Sequence, residues 1–269
     1  MTRQSQPTPK TALITGASSG IGEALAHCFS AAGFDVILVA RSEGKLKMLA
    51  AQLSDKYGVN ARVQAADLSQ PDAAPRLLAA LSRKRCQVDV LVNCAGVLAQ
   101  GAFLGIVPGC HQNIIDLNIS GLTGMLSAFL PGMVKRGSGR VLNVASIAAF
   151  QPVPSLASYA ASKAYVLSLS ESLAEELRGT GVTVTALCPG ITATRMLAQA
   201  AGANDKLQQL PAFFVGDVEQ VAAQAFDACL KGEAICVPGL INQAAMIASR
   251  GTPKWLVRRF AGLLGRQAV

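Results

Sequence analysis

Tyr159 and Lys163 stand four apart in the run Ser158-Tyr-Ala-Ala-Ser-Lys163. From Leu156 onward the residues are mostly small, apolar or helix-forming, and helical spacing puts both side chains on one face, a turn apart. A free phenol has a pKa of about 10 and is a poor acid near neutrality. A fixed ammonium close by favours the phenolate and pulls that value down. A tyrosine tuned in this way can give or take a proton at working pH. Ser146 follows a strand-like run, Arg140 to Ala145, and precedes a loop containing Pro152 and Pro154. If that strand and this helix meet at their ends, the Ser146 hydroxyl can sit beside the phenol and hold a carbonyl oxygen. The competing reading of the pair by itself is a surface tyrosine lying along the alkyl stem of a lysine, so the surrounding chain has to decide.

Such groups need a strand end and a helix to hold them, and the chain supplies both in alternation. Strand-like runs cover Thr11–Thr15, Asp35–Ala40, Ala61–Ala66, Val88–Val92, Arg140–Ala145, Val182–Leu187 and Ala234–Val237. Between them lie helical patterns over Glu23–Ala32, Ser42–Tyr57, Asp72–Arg85, Gln112–Arg136, Leu156–Arg178 and Val218–Lys231. This predicts one doubly wound α/β domain, a seven-stranded and mainly parallel sheet with helices on both faces. Residues 10–238 form it, 1–9 are a loose polar arm, and 239–269 are a basic extension.

Several connections carry residues suited to a nucleotide. Gly16-Ala-Ser-Ser-Gly20-Ile-Gly22 lies between the first strand and the first helix. Its glycines allow tight turning and close backbone approach, with the helix N-terminus facing an anion; the plainer alternative is an ordinary connection. After the second strand, where an acid would hold an adenosine ribose, stand Ala40 and Arg41. An arginine there suits a 2′-phosphate, or is a solvated helix-start residue. Asp67 and Leu68 end the third strand, and the Asp can accept from an adenine amino group or cap the next helix. Asn93-Cys-Ala-Gly96 places small residues where backbone can approach a ligand. Asn118 is mildly unfavourable inside a helix, which hints at a bent or hydrogen-bonded position. Pro189-Gly-Ile191 and Thr194 follow the sixth strand, and the irregular 195–215 is the natural lid.

Composition narrows the classes. Half the chain (51%) is hydrophobic and 15% charged, enough for a sizeable core. Seven scattered cysteines without a Cys-x-x-Cys, and two distant histidines, indicate neither a disulfide framework nor a metal site. That suits a reducing cytosol. No signal peptide and no uninterrupted apolar run of bilayer length is evident. The net charge is +8, much of it after Glu233.

Together these motifs resemble the short-chain dehydrogenase/reductase family, in its compact single-domain branch, over roughly 10–237. Thr15–Gly22 matches its Thr-Gly-x-x-x-Gly-x-Gly turn, and Asn93–Gly96 its Asn-Asn-Ala-Gly with Cys94 at the second position. Ser146, Tyr159, Lys163 and Asn118 match its catalytic tetrad. Pro189, Gly190 and Thr194 match its nicotinamide-side turn. Pro238–Asn242 is loosely similar to the DltE-type subgroup. The resemblance implies a Rossmann-type fold and NADP(H), preferred over NAD(H), with its phosphates at Gly16, Ser18, Ser19, Gly20 and Ile21 and its 2′-phosphate at Arg41. Asp67, Leu68, Asn93, Ala95, Gly96, Tyr159, Lys163, Pro189, Gly190, Ile191 and Thr194 would complete the cofactor contacts. Lys163 would hold the ribose hydroxyls and depress the Tyr159 pKa. Ser146 would polarise the carbonyl, Tyr159 give the proton, and Asn118 hold a water relaying protons through Lys163.

The expected activity is NADPH-dependent reduction of a small hydrophobic ketone or aldehyde, with the secondary alcohol oxidised in reverse. The alternative is an NADP(H)-binding sensor or scaffold with little turnover. A homodimer or homotetramer through the helices around Asn118 and Tyr159 is implied. The segment from Thr252, with Trp255, Phe260, Arg258 and Arg259, could touch anionic membrane from the cytoplasm or dock on its own domain. Nucleic acid is not an expected partner, because the basic residues lack interleaved aromatics.

Overall fold

The structure is a computed structural model and describes residues 9–192, 216–239, 242–244 and 246. Strands β1 (Thr11–Thr15), β2 (Asp35–Ala40), β3 (Ala61–Ala65), β4 (Val90–Asn93), β5 (Gly139–Val144), β6 (Val182–Leu187) and β7 (Ile235–Cys236) form one sheet in the order β3-β2-β1-β4-β5-β6-β7. Every pairing is parallel, where a mainly parallel sheet was expected. Helices are α1 (Gly20–Ala31), α2 (Glu43–Tyr57), α3 (Ala73–Arg83), α4 (Pro108–Ile114), α5 (Leu122–Arg136), α6 (Ala157–Glu176) and α7 (Val218–Lys231).

Period-two alternation sends successive strand residues to opposite faces. Leu13, Leu91 and Val141 face α3, α5 and α6, where they join Leu77, Phe129 and Val166. Ile14, Val36 and Leu142 face α1, α2 and α7 with Leu25, Leu46 and Ala225. Because both faces are covered, the strands read as near-continuous apolar runs. The chain leaves β1 outward to β2 and β3, then returns to β4 on the other side of β1. That reversal opens a crevice beyond the carboxyl ends of β1 and β4, where open α/β sheets bind ligands.

Two helix starts differ from expectation for local reasons. Helix α1 begins at Gly20, because the glycines are themselves its first turn. The helix expected from Gln112 starts earlier, at Pro108, whose missing N–H costs nothing in a first turn. From there α4, a π-helical turn (Ile115–Gly121) and α5 run on as one helical rod to Arg136. That rod is long and apolar enough to cross a membrane by length and composition, although no uninterrupted apolar run of bilayer length was expected. Part of its apolarity is accounted for by burial, since Leu122, Met125, Phe129 and Met133 are packed against the sheet.

The N-terminal arm, Thr194, the 195–215 lid and the basic tail from Thr252 lie outside the described residues. Thr192 and Gly216, on either side of the lid segment, pair as a parallel bridge. Asn242 donates from Nδ2 to the Pro238 carbonyl at 2.7 Å, Gln243 donates from Nε2 to the Val237 carbonyl at 3.0 Å, and Met246 packs on the core. The extension therefore begins docked on its own domain.

Candidate active site

At the crevice, Thr15 closes β1. Its hydroxyl donates to the Val92 carbonyl at 3.1 Å and accepts from the Cys94 and Ala95 amides at 2.9 and 3.1 Å. One side chain thus stitches the glycine turn to the loop after β4. Gly16 has φ +67°, and a Cβ there would lie 2.9 Å from the Ala95 nitrogen. At Gly22 a Cβ would collide with the Gly16 carbonyl. Ser19 stands at the N-cap of α1 with extended backbone and makes no side-chain capping bond. The first amides of α1 consequently have no side-chain cap, and the positive end of the helix dipole faces the turn. This cradle fits the phosphates of a dinucleotide.

Farther along the strand ends, Arg41 is exposed just past β2 and Asp67 lies past β3. The Asp67 carboxylate accepts from the Ser69 hydroxyl at 2.8 Å and the Ser69 amide at 3.1 Å. The hydroxyl bond foremost, with the Arg41 guanidinium adding to it, holds Asp67 below the usual carboxylate range. Asp67 does not cap α3, whose N-cap is Asp72. Leu68 is buried, and its carbonyl abuts Gly121 so closely that a Cβ there would collide.

Asn93 turns inward. It is 4% exposed, and its Nδ2 donates to Asn143 Oδ1 at 2.9 Å. Cys94, Ala95 and Gly96, directly after β4, stay partly exposed. A Cβ on Gly96 would lie 3.3 Å from Asn118 Oδ1 and 3.6 Å from Lys163 Nζ. Gly96 thus brings main chain close to two of the four expected catalytic groups.

Asn118 occupies the π-helical turn, a form of bulge frequent at functional sites. Its Oδ1 accepts from the Val97 amide at 2.9 Å; its Nδ2 donates to the Val97 carbonyl at 2.9 Å and to Ser162 Oγ at 3.1 Å. The hydrogen-bonded position hinted at by the sequence is real. The side-chain amide clamps the loop after β4 to α6, since Ser162 Oγ in turn donates to the Tyr159 carbonyl at 2.7 Å.

Ser146, directly beyond Ala145 at the end of β5, caps the 3-10 turn Ile147–Phe150. Its oxygen accepts from the Ala148 amide at 3.1 Å. The hydroxyl proton is left to donate elsewhere, which is what holding a carbonyl oxygen requires. The Ile147 amide donates to the Pro189 carbonyl at 3.0 Å and ties this turn to the exit of β6. There a Cβ on Gly190 would lie 2.6 Å from both Asn242 Nδ2 and Oδ1, so the extension closes over the Pro-Gly turn.

Tyr159 lies in the first turn of α6 and is half-buried; Lys163, a turn later, is 5% exposed. Burial pushes the phenol above its ordinary value, while the Ser146 hydroxyl beside it pulls the other way. The expected depression by Lys163 is absent in the free protein. Lys163 Nζ stands 5.7 Å from the Tyr159 ring centroid and donates to the Val144 carbonyl at 2.7 Å. Burial also brings the ammonium down to about 8. Desolvation therefore outweighs the Ser146 hydrogen bond at the phenol. Burial holds the neighbouring Cys94 thiol at about 11, so it stays neutral beside them.

The structure thus gathers Asn118, Ser146, Tyr159, Lys163 and Gly96 at one end of the crevice, and sets Arg41 and Asp67 past the ends of β2 and β3. Sequence reasoning missed Thr15 as a stitch and Ser162 as the link between Asn118 and Tyr159. Ser162 had a signal: a polar residue on the face of α6 that otherwise carries Ala160, Lys163 and Val166 into the core.

A short chain dehydrogenase family model matches residues 10–205. An uncharacterized oxidoreductase of Staphylococcus saprophyticus is 34% identical over 199 residues, covering 74% of this chain and 85% of that protein. A 3-oxoacyl-[acyl-carrier-protein] reductase of Synechocystis sp. is 35% identical over 216 residues, covering 80% of this chain and 87% of that protein. Among solved structures, a short-chain dehydrogenase from Sphingobium yanoikuyae in complex with NADPH superposes with a TM-score of 0.80 at 34% identity, covering 90% of this chain and 93% of that one. The cradle, the crevice and these matches agree: the chain belongs to the short-chain dehydrogenase/reductase family of oxidoreductases.

Proposed function

We propose that the protein reduces a ketone or aldehyde with NADPH, and oxidises the matching secondary alcohol in reverse. The observation that carries this reading is Ser146 next to Tyr159 at the strand end, with the Lys163 ammonium buried behind them. NADPH, when bound in the cradle, supplies the hydride to the carbonyl carbon. Ser146, hydrogen-bonded to the phenol, offers its hydroxyl proton to the carbonyl oxygen and stabilises the charge that develops there. Tyr159, kept protonated by its raised pKa, gives that oxygen its proton. Lys163, charged below about pH 8, stands where it favours the phenolate left behind. Asn118 holds Val97 and Ser162 so that Gly96 and Tyr159 keep their places.

Arg41, exposed past β2, supports a preference for a 2′-phosphate and hence for NADP(H) over NAD(H). The NADPH complex of the Sphingobium yanoikuyae relative supports the same choice. Half-buried Leu98, Val153 and Ile191 on the loops around the site support an uncharged, apolar substrate. An apolar groove between α5 and α6, lined by Leu126, Leu130, Pro131, Val134, Leu169 and Leu173, supports assembly of a homodimer or homotetramer through these helices.

The test is consumption of NADPH and of NADH, side by side, over a panel of hydrophobic ketones and aldehydes. Turnover is expected with NADPH. Tyr159→Phe should lower kcat by about a hundredfold or more, the range of a lost general acid, and leave NADPH binding intact. Protein shown to bind NADPH that oxidises it with no carbonyl would refute the reading and leave a nucleotide-binding protein without turnover.

A further inference from the structure

A chain of hydrogen bonds crosses the interior beneath the catalytic groups. Asn93 Nδ2 donates to Asn143 Oδ1 at 2.9 Å, Asn143 Nδ2 donates to Ser170 Oγ at 2.9 Å, and Ser170 Oγ donates to the Val166 carbonyl at 2.6 Å. Asn93 and Asn143 are register partners on neighbouring β4 and β5. Asn143 and Ser170 are both 0% exposed, in a layer otherwise built from Val141, Val166, Leu167 and their neighbours. Every donor and acceptor role is determined, because Ser170 gives its proton to Val166 and can only accept from Asn143.

A polar chain in such a layer adds little net stability over apolar side chains of the same shape. What it supplies is direction and register. Ser170 lies about two helical turns beyond Lys163 on the same face of α6. Lys163 bonds the carbonyl of Val144, and Ser170 bonds the side chain of Asn143, the residue before it. Helix α6 is therefore pinned to β5 at two points along its length. The strand it is pinned to leads directly into Ser146, and Asn93 leads into the Cys94–Gly96 loop.

We propose that Asn143 and Ser170 are positioning residues, which fix the register of α6 on β5 and thereby set where Tyr159 stands relative to Ser146. The proposal rests on the reductase reading for its kinetic consequence. Without the second pin, α6 can shift about Lys163, and a displacement near 1 Å can cost as much as a hundredfold in rate.

The experiment compares wild type, Ser170→Ala and Ser170→Thr. The alanine variant should lose about tenfold in kcat, with KM and NADPH affinity within about twofold of wild type. The threonine variant keeps the hydroxyl, and S170T should restore the rate. Amide exchange of α6 around residues 159–166 should speed up in S170A, with β2 and α2 unchanged. The proposal is overturned if kcat of S170A stays within about twofold of wild type, if its loss only follows the unfolded fraction, or if S170T does not recover it. Should wild type reduce no carbonyl, the reductase reading fails separately. The exchange measurement then decides alone: faster exchange in α6 sustains the pinning, and unchanged exchange ends it.

Discussion

Replacing Lys163 by methionine should stabilise the fold while destroying the activity. The ammonium is 5% exposed, bonds a neutral carbonyl, and faces no carboxylate among the described ion pairs. Burial moves its pKa from 10.5 to about 8. At about 1.4 kcal/mol per unit, the charge then costs the folded state about 3 kcal/mol at any pH below 8. Methionine keeps much of the stem and removes the charge, at a cost of about 1 kcal/mol for the Val144 carbonyl it leaves without a partner. The net expectation at pH 7 is a gain of about 2 kcal/mol, or roughly 4–8 °C in Tm for a chain of this size. The sign of the pH dependence follows from linkage. Between pH 8 and 10.5 the unfolded chain holds a proton on this lysine that the folded chain has released, so wild-type stability from this group rises with pH across that window. The advantage of K163M should therefore shrink from pH 8 upward, be gone at about pH 10, and reverse by up to about 1 kcal/mol above that, where only the unpaired Val144 carbonyl remains. Urea unfolding of both proteins at pH 7, 8, 9 and 10 measures it, beside an NADPH assay at pH 7. A variant less stable than wild type at pH 7, with a deficit that does not change with pH, would refute the reasoning about the buried charge.

Two further outcomes follow from the same geometry. Arg41→Ala should raise the Kd for NADPH by about 10- to 100-fold, the worth of a charge-assisted hydrogen bond, and change that for NADH little; equal loss for both cofactors in fluorescence titrations would remove Arg41 from the 2′-phosphate. For carbonyl reduction, kcat/KM should fall as pH rises through about 8, where Lys163 loses its proton while Tyr159 still holds its own; a profile flat to pH 9.5 would show that the ammonium is not needed.

The sheet was legible in the sequence because both its faces are covered. Asp35–Ala40 and Val182–Leu187 have the bounds expected from their apolar runs, which burial on two sides demands. Glycine and proline were less reliable punctuation. Gly20 opens a helix and Pro108 begins one, and both are permitted in a first turn although they would break an interior one. Asn118 was legible as an oddity, but the π-helical turn around it was not. What satisfies that side chain is Val97, 21 positions back, together with Ser162, and no local pattern encodes such partners. Asn143 and Ser170 left no trace for the same reason: each is an ordinary polar residue until the fold sets one beside the other.

The Tyr159–Lys163 spacing was read correctly and its electrostatics were not. Four residues of helix put two side chains on one face, but they do not say where a long side chain ends. Lys163 lies over the Tyr159 ring, 5.7 Å from its centroid, and donates a hydrogen bond to the Val144 carbonyl. Burial then acts on both groups in opposite senses, raising the acid and lowering the cation, and each is pushed toward its neutral form. A protonated phenol is the form a carbonyl reduction consumes, so the raised pKa suits that direction. Alcohol oxidation would instead call on the phenolate, the form that the Ser146 hydroxyl favours.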